Sequence, residues 1–183
     1  MQITLDGFVA GPNGELDWMT FSIDDKGSDR INELIDSSDT ILLGRKMTDG
    51  FVNYWTGVLE NPESPEYSFA QKMVNTPKIV FSKTLKESRW ANTTVANGDI
   101  VEEVEKLKNQ DGKDILVYGG ASFVSSLIKN NLIDEYHFLV NPVAIGNGMT
   151  IFGDLTGKHN LQLIKSESLS TGKVELCYVP QKN

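Results

Sequence analysis

Short apolar runs bounded by turn residues recur along the chain at Thr40 to Leu43, Lys78 to Ser82, Ile115 to Tyr118 and Tyr136 to Val140. Their brevity and their β-branched or aromatic content predict strands covered on both faces, the state of a parallel sheet between helices. Between them the spacing changes. Ser28 to Ser37 carries Ile31, Leu34 and Ile35 at i, i+3, i+4, with Ser28 as a candidate N-cap, which predicts an amphipathic helix. Pro65 to Asn75, Ile100 to Asn109 (through Val101, Val104 and Leu107) and Ser122 to Asn130 predict three more. Near the C-terminus, Leu161 to Lys165 and Val174 to Val179 flank Ser170-Thr171-Gly172 and predict a hairpin.

This alternation predicts the α/β class: three layers, α/β/α, around a mixed sheet that is mostly parallel with a C-terminal antiparallel hairpin. In such sheets ligands bind at the carboxyl ends of the strands, so the strand-to-helix loops are where chemistry is expected. The most loop-like stretch, Gly57 to Ser64, is too short to separate domains, and one domain over residues 1–183 is expected. The chain opens on Met1-Gln2-Ile3-Thr4-Leu5-Asp6-Gly7, only a stub where an initial strand is expected, which points to residues missing upstream.

Composition narrows the partners. With 39% hydrophobic residues the chain can build one sizeable core. Seventeen basic against twenty-five acidic residues give a net charge of −8, the wrong sign for a nucleic acid or an anionic membrane surface. An anionic cofactor is still admissible, because helix N-termini and a few local cations make a positive pocket inside a negative molecule. Cys177 is the single cysteine, which excludes an internal disulfide and fits a reducing cytoplasm. His137 and His159 stand far apart in sequence and Cys177 has no evident companion ligand, so no metal is expected. There is no signal-peptide pattern, and no apolar run approaches the roughly 18 residues of a membrane span. A cytoplasmic protein with a small-molecule substrate is expected.

Three loops offer phosphate chemistry. After Thr40 to Leu43 come Gly44, Arg45, Lys46 and Thr48, whose glycine admits a ligand to the backbone and whose cations and hydroxyl suit phosphate oxygens. Lys78 to Phe81 ends in Ser82-Lys83-Thr84, which suits a further phosphate, such as the 2′-phosphate that separates NADPH from NADH. Ile115 to Tyr118 runs into Gly119-Gly120-Ala121-Ser122, where side-chain-free residues would let a pyrophosphate reach helix N–H groups. Each segment alone also suits a plain turn or a capping loop. Their occurrence after three successive strands favours the phosphate reading.

The whole pattern resembles the dihydrofolate-reductase-like group that includes the reductase domain of bacterial riboflavin biosynthesis. The resemblance is carried by Leu5-Asp6-Gly7-Phe8-Val9-Ala10, Leu42-Leu43-Gly44-Arg45-Lys46-Met47-Thr48, Lys78 to Leu85, Tyr118-Gly119-Gly120-Ala121, and Asp134-Glu135 followed by Pro142 to Gly148. It implies a dihydrofolate-reductase-like sheet, NADPH as cofactor, and reduction of a small, pterin- or ribosylaminopyrimidine-like heterocycle by hydride transfer. It further implies that Gly44, Arg45, Lys46 and Thr48 hold the phosphate region, Ser82 and Lys83 the 2′-phosphate, and Gly119, Gly120, Ala121 and Ser122 the pyrophosphate. The Asp6 to Trp18 stretch matches the family's mobile loop beside the nicotinamide, with Ala10, Gly14, Asp17 and Trp18 as its candidates. Trp18 equally suits a core position, Gly146-Asn147-Gly148 a turn, and Asp134-Glu135 a connecting loop.

In dihydrofolate reductase itself, which the chain resembles, a carboxylic acid on the first helix binds the pterin and assists its protonation. Here Ser28 falls nearest that position and Asp29 is one residue off, a rotation of about 100° on a helix; Asp29 is the catalytic candidate. A non-catalytic NADPH-binding sensor is the alternative. The family commonly forms homodimers, and a homodimer is expected here.

Overall fold

The computed structural model describes residues 1–20 and 24–181. The chain divides into two compact units, one formed by residues 31–123 and the other by residues 1–30 and 124–183.

The 31–123 unit is built on β2 (Ser38–Gly44), β3 (Lys78–Phe81), β4 (Thr93–Ala96) and β5 (Asp114–Gly119), all parallel, in the order β4-β3-β2-β5. Central β2 carries Ile41, Leu42 and Leu43 consecutively, each no more than 1% exposed. Such a run has no polar face because helices cover both sides of a parallel sheet.

A helix not expected from the sequence, α2 (Arg45–Val58), follows β2 directly. Met47, Phe51, Trp55 and Val58 supply its apolar stripe. Phe51 and Trp55 are buried and pack edge-on at 6.4 Å, and Phe51 meets Tyr118 of β5 at 4.8 Å. α2 runs through Gly57 and Val58, so the connecting loop starts later than the Gly57 to Ser64 stretch suggested. α3 (Tyr67–Asn75) adds Ala70 and Met73 to the same core as Ile35, Ile41, Leu43 and Val80. Its carboxyl end is closed by buried Lys78, whose ammonium donates to the carbonyls of Met73, Val74 and Thr76 at 3.0, 2.8 and 2.6 Å. α4 (Ile100–Lys108) starts where its pattern predicted, with the Asp99 carboxylate accepting from the Val101 and Glu102 amides. Strand β4 was not expected either: Thr93-Thr94-Val95-Ala96 opens on two polar residues and contains no apolar run like that of β3.

The other unit carries β1 (Gln2–Thr4), β6 (Tyr136–Asn141), β7 (Leu161–Ser168) and β8 (Val174–Pro180) in the order β1-β6-β8-β7. β1 pairs parallel with β6, whereas β6 with β8 and β8 with β7 are antiparallel. The C-terminal hairpin is thus as expected, with Gly172 at φ +82° in its turn. The N-terminal stub forms a three-residue strand. Asp134 and Glu135 lie in the connection between α5 (Ala121–Lys129) and β6.

The first helix, α1, spans Asp25–Asp36, so Ser28 is not its N-cap but lies within it. Asp24 takes the capping role: its Oδ1 accepts from the Gly27 amide at 3.0 Å, and its Oδ2 from the amide and hydroxyl of Ser170 at 2.6 and 2.7 Å. An earlier carboxylate with two sets of donors displaces the serine. α1 and α5 each contribute residues to both units.

Candidate functional site

Register brings the three loops abreast. In the β2–β3 pair Gly44 stands opposite Phe81, and in the β2–β5 pair Leu43 stands opposite Gly119. Gly44, Ser82 and Gly119-Gly120 therefore share the carboxyl edge of three adjacent parallel strands. At this edge the backbones touch: a Cβ on Gly44 would lie 2.9 Å from Phe123 Cβ and 3.5 Å from the Gly119 carbonyl, and one on Gly120 would lie 3.2 Å from Gly44 Cα. Gly120 also needs its φ of +98°, open only to glycine at low cost. Phe123, not a site candidate on sequence grounds, seals the junction by packing against Phe81 with ring centroids 4.9 Å apart.

Two helices start here. α2 begins at Arg45 with Gly44 as N-cap and no side-chain cap, leaving its first N–H groups to another acceptor. α5 begins at Ala121, after the Gly119-Gly120 turn. Arg45, Lys46, Lys83 and Ser122 are exposed around this edge. Thr48 differs: it is fully buried and its hydroxyl donates to the Gly44 carbonyl at 3.1 Å, so its place is beneath the loop. Ser82 is buried, and its oxygen accepts from the Thr84 and Leu85 amides at 3.2 and 3.0 Å, which folds the Ser82-Lys83-Thr84 turn and puts Lys83 on its outer side. The arrangement fits a dinucleotide: close-packed glycines, two helix starts, that of α2 without a side-chain cap, and four exposed polar side chains offer N–H and cationic donors at one edge.

The remaining sequence candidates belong to the other unit. Ala10 is buried and forms an antiparallel bridge with Met149, Met149 N donating to Ala10 O at 2.8 Å. Gly148 permits that approach, since a Cβ there would fall 2.3 Å from the Ala10 carbonyl. Asp6 anchors the same loop by accepting from the Thr4 hydroxyl at 2.6 Å and from the amides of Ile145 and Gly146. Gly14 takes φ +93° in a turn closed onto the Gly11 carbonyl. Asp17 is exposed and Trp18 half-buried. Asp29, on α1, is exposed.

Cys177 does have companions, contrary to the sequence expectation. It stands opposite His137 in the β6–β8 register, its Sγ 3.1 Å from His137 Nδ1 and 3.6 Å from Glu175 Oε1. These three ligand-type atoms lie within 4.8 Å of one another. His137 Nε2 bonds Glu135 at 2.7 Å, and Glu175 already holds Arg30 and Lys165 at 3.1 and 3.0 Å. Burial pushes the Cys177 thiol up and the His137 imidazole down. For Glu175, burial raises the carboxyl, but the bonds from Lys165 and Arg30 outweigh it and the net shift is downward.

A parallel sheet with three phosphate-compatible loops at its carboxyl edge puts the chain in the α/β class. A family model, the RibD C-terminal domain, matches residues 1–174, and the chain belongs to that family. It is 36% identical over 179 residues to the uncharacterized protein YyaP of Bacillus subtilis (strain 168), covering 97% of this chain and 91% of YyaP. The uncharacterized protein YwjB of the same organism is 27% identical over 177 residues, covering 97% of this chain and 93% of YwjB. Among solved structures, a protein of Shewanella sp. PV-4 named for riboflavin biosynthesis matches with a TM-score of 0.75 and 23% identity, over 100% of this chain and 97% of that one. The diaminohydroxyphosphoribosylaminopyrimidine deaminase/5-amino-6-(5-phosphoribosylamino)uracil reductase of Thermotoga maritima matches with a TM-score of 0.68 and 20% identity, over 98% of this chain and 55% of that one. These likenesses show the fold, a three-layer α/β class with a mostly parallel sheet and an antiparallel hairpin. No helix among the described residues is long and apolar enough to cross a membrane.

Proposed function

We propose that the chain is an NADPH-dependent reductase of a small heterocyclic substrate, of the pterin or ribosylaminopyrimidine kind. The observation that carries this reading is the contact of Gly44 with Gly120 at the carboxyl edge of β2 and β5, which clears a side-chain-free floor beside two helix starts. Family membership and the uracil-reductase function named for the Thermotoga maritima neighbour support the substrate class.

Arg45, Lys46 and the first amides of α2 bind the phosphate region, Gly119 to Ser122 the pyrophosphate, and Ser82 and Lys83 the 2′-phosphate. Thr48 acts by holding the Gly44 carbonyl. Ala10, Asp17 and Trp18 belong to the loop that excludes water beside the nicotinamide. The cofactor, when bound, supplies the hydride, and the protein supplies orientation and electrostatics. Asp29 is the assigned proton donor.

Titrating the protein with NADPH and with NADH, followed by cofactor fluorescence, tests the proposal: saturable NADPH binding that weakens in Lys83→Ala is expected, and no NADPH binding overturns it. The exposure of Asp29 favours a second reading, a sensor that binds NADPH without turnover. A substrate screen following NADPH oxidation separates the two, since turnover that is lost in Asp29→Asn rejects the sensor. A homodimer is part of the proposal and is checked by analytical ultracentrifugation.

A further inference from the structure

Three buried polar side-chain atoms among the described residues have no hydrogen-bond partner: the Asn141 amide oxygen, the Trp18 indole N–H and the Thr171 hydroxyl. A buried polar group left unsatisfied is costly, and such groups point to a missing partner. All three are linked to Lys173 through near neighbours: Thr171 is two residues before it, Trp18 two residues before Thr20, whose carbonyl Lys173 bonds, and Asn141 shares the Gln2 side chain with it.

Lys173 is fully buried, and its ammonium donates to Gln2 Oε1 at 3.3 Å and to the Thr20 carbonyl. No carboxylate pairs with it among the described residues, and burial holds its pKa down. Three N–H groups minus these two bonds leave one donor without a partner among the described residues. The Asn141 Nδ2 group donates to Gln2 Oε1 at 3.1 Å and to the carbonyls of Leu139 and Ile3 at 3.2 and 3.4 Å. Turning the amide over would put its oxygen against three acceptors, so the network fixes Oδ1 as the unpartnered atom. Thr171 sits in the hairpin turn closed by Lys173, and the neighbouring Gly172 abuts Pro142, the residue after Asn141. Trp18 lies two residues before Thr20.

The location is functional in kind. Asn141 ends β6 opposite Thr4, the end of β1, so the cluster stands at the carboxyl edge of the parallel pair. Ligands bind at that edge in α/β sheets. Trp18 is half-buried and Thr20 exposed, so their segment forms the solvent side.

We propose that Asn141, Lys173, Trp18 and Thr171 form a substrate subsite that takes the lactam edge of a heterocycle. This rests on the reductase reading for the substrate class. The unpartnered groups are one acceptor, two donors and one hydroxyl that can be either, and their complement is an adjacent ring N–H and C=O. Asn141 Oδ1 accepts the ring N–H, while the remaining Lys173 N–H and the Trp18 indole donate to the carbonyl. A phosphate or carboxylate would satisfy the donors but set its charge against Asn141 Oδ1, which disfavours a simple anion.

Titration of the full chain with uracil and with 1,3-dimethyluracil, which keeps both carbonyls but has no N–H, tests this by the NMR shift of the Trp18 indole resonance. Uracil is expected to shift it saturably, and the dimethyl compound to bind about tenfold more weakly, because Asn141 Oδ1 is then left unpaired. Thr171→Val and Trp18→Phe delete atoms that have no partner in the free protein. They should leave the melting temperature unchanged yet weaken uracil about fivefold or more, read for Trp18→Phe from neighbouring backbone amides. Lys173→Met should abolish binding if it folds, and the other two variants decide the matter if it does not. Absence of uracil binding, equal affinity for the two compounds, displacement of uracil by inorganic phosphate, or unchanged affinity in both Thr171→Val and Trp18→Phe each overturns the subsite. A parallel NADPH titration keeps the readings apart: NADPH binding without uracil binding removes only the subsite.

Discussion

The Gly146 amide donates to Asp6 Oδ2 at 2.7 Å, pinning two loops that lie 140 residues apart in sequence. The Thr4 hydroxyl first, then the Gly146 amide, hold the Asp6 carboxyl below its usual range. A carboxylate with a depressed folded-state pKa contributes stability that is full above its unfolded value of about 4 and is lost as pH falls through the lower folded value. Asp6→Asn should therefore be less stable than wild type at neutral pH, with the gap closing on acidification. Thermal melts of both proteins from pH 7 downward measure it; a constant gap would contradict the assignment.

Gly44→Ala forces a Cβ to 2.9 Å from Phe123 Cβ, and Gly120→Ala adds an unfavourable φ of +98° to a 3.2 Å contact. Each should cost about 1–3 kcal/mol in urea unfolding. Each should also weaken NADPH by about tenfold or more, because the two backbones can no longer approach.

Lys78→Met should cost about 1–3 kcal/mol, since three carbonyls at the end of α3 lose their donor. Burial lowers the Lys78 pKa to about 8 from 10.5. Between those values the unfolded chain binds more protons than the folded one, so wild type should gain stability relative to Lys78→Met as pH rises from 8 toward 10.5. Denaturant midpoints at pH 7, 9 and 10 would show it.

Glu175 is 7% exposed and bonds both Arg30 and Lys165. Glu175→Gln removes the negative charge that Arg30 and Lys165 both bond in a largely buried site and should destabilise by about 1–3 kcal/mol. Cys177 beside it is 1% exposed with its thiol pKa raised, so a thiol reagent should label it only at the rate of unfolding. Faster labelling in Glu175→Gln than in wild type is the expected companion result.

The strands and the three loops were legible because each loop announces itself locally, as glycine or hydroxyl residues after an apolar run. Their meeting at one edge was not, since it depends on strand order, which pairs β2 with both β3 and β5 across long stretches of chain. α2 escaped notice for a different reason. Gly50, Asn53 and Gly57 depress its intrinsic propensity, and the burial of Phe51 and Trp55 overrides that deficit. His137 and Cys177 looked solitary because antiparallel pairing, which sets them face to face, leaves no trace in linear spacing. Nothing in the linear sequence singles out Lys173 or Asn141; their burial and, among the described residues, their missing partners mark them.

Because β5 is parallel to its neighbours, its amino end at Asp114 lies about 17 Å from Gly119 along the strand. The exposed turn before it, at Asp111, is thus remote from the glycine floor. With the native thiol buried, Asp111→Cys would carry a single dye that accepts energy from reduced nicotinamide, and occupancy of the far edge could be followed by energy transfer in a protein whose binding surface is left untouched.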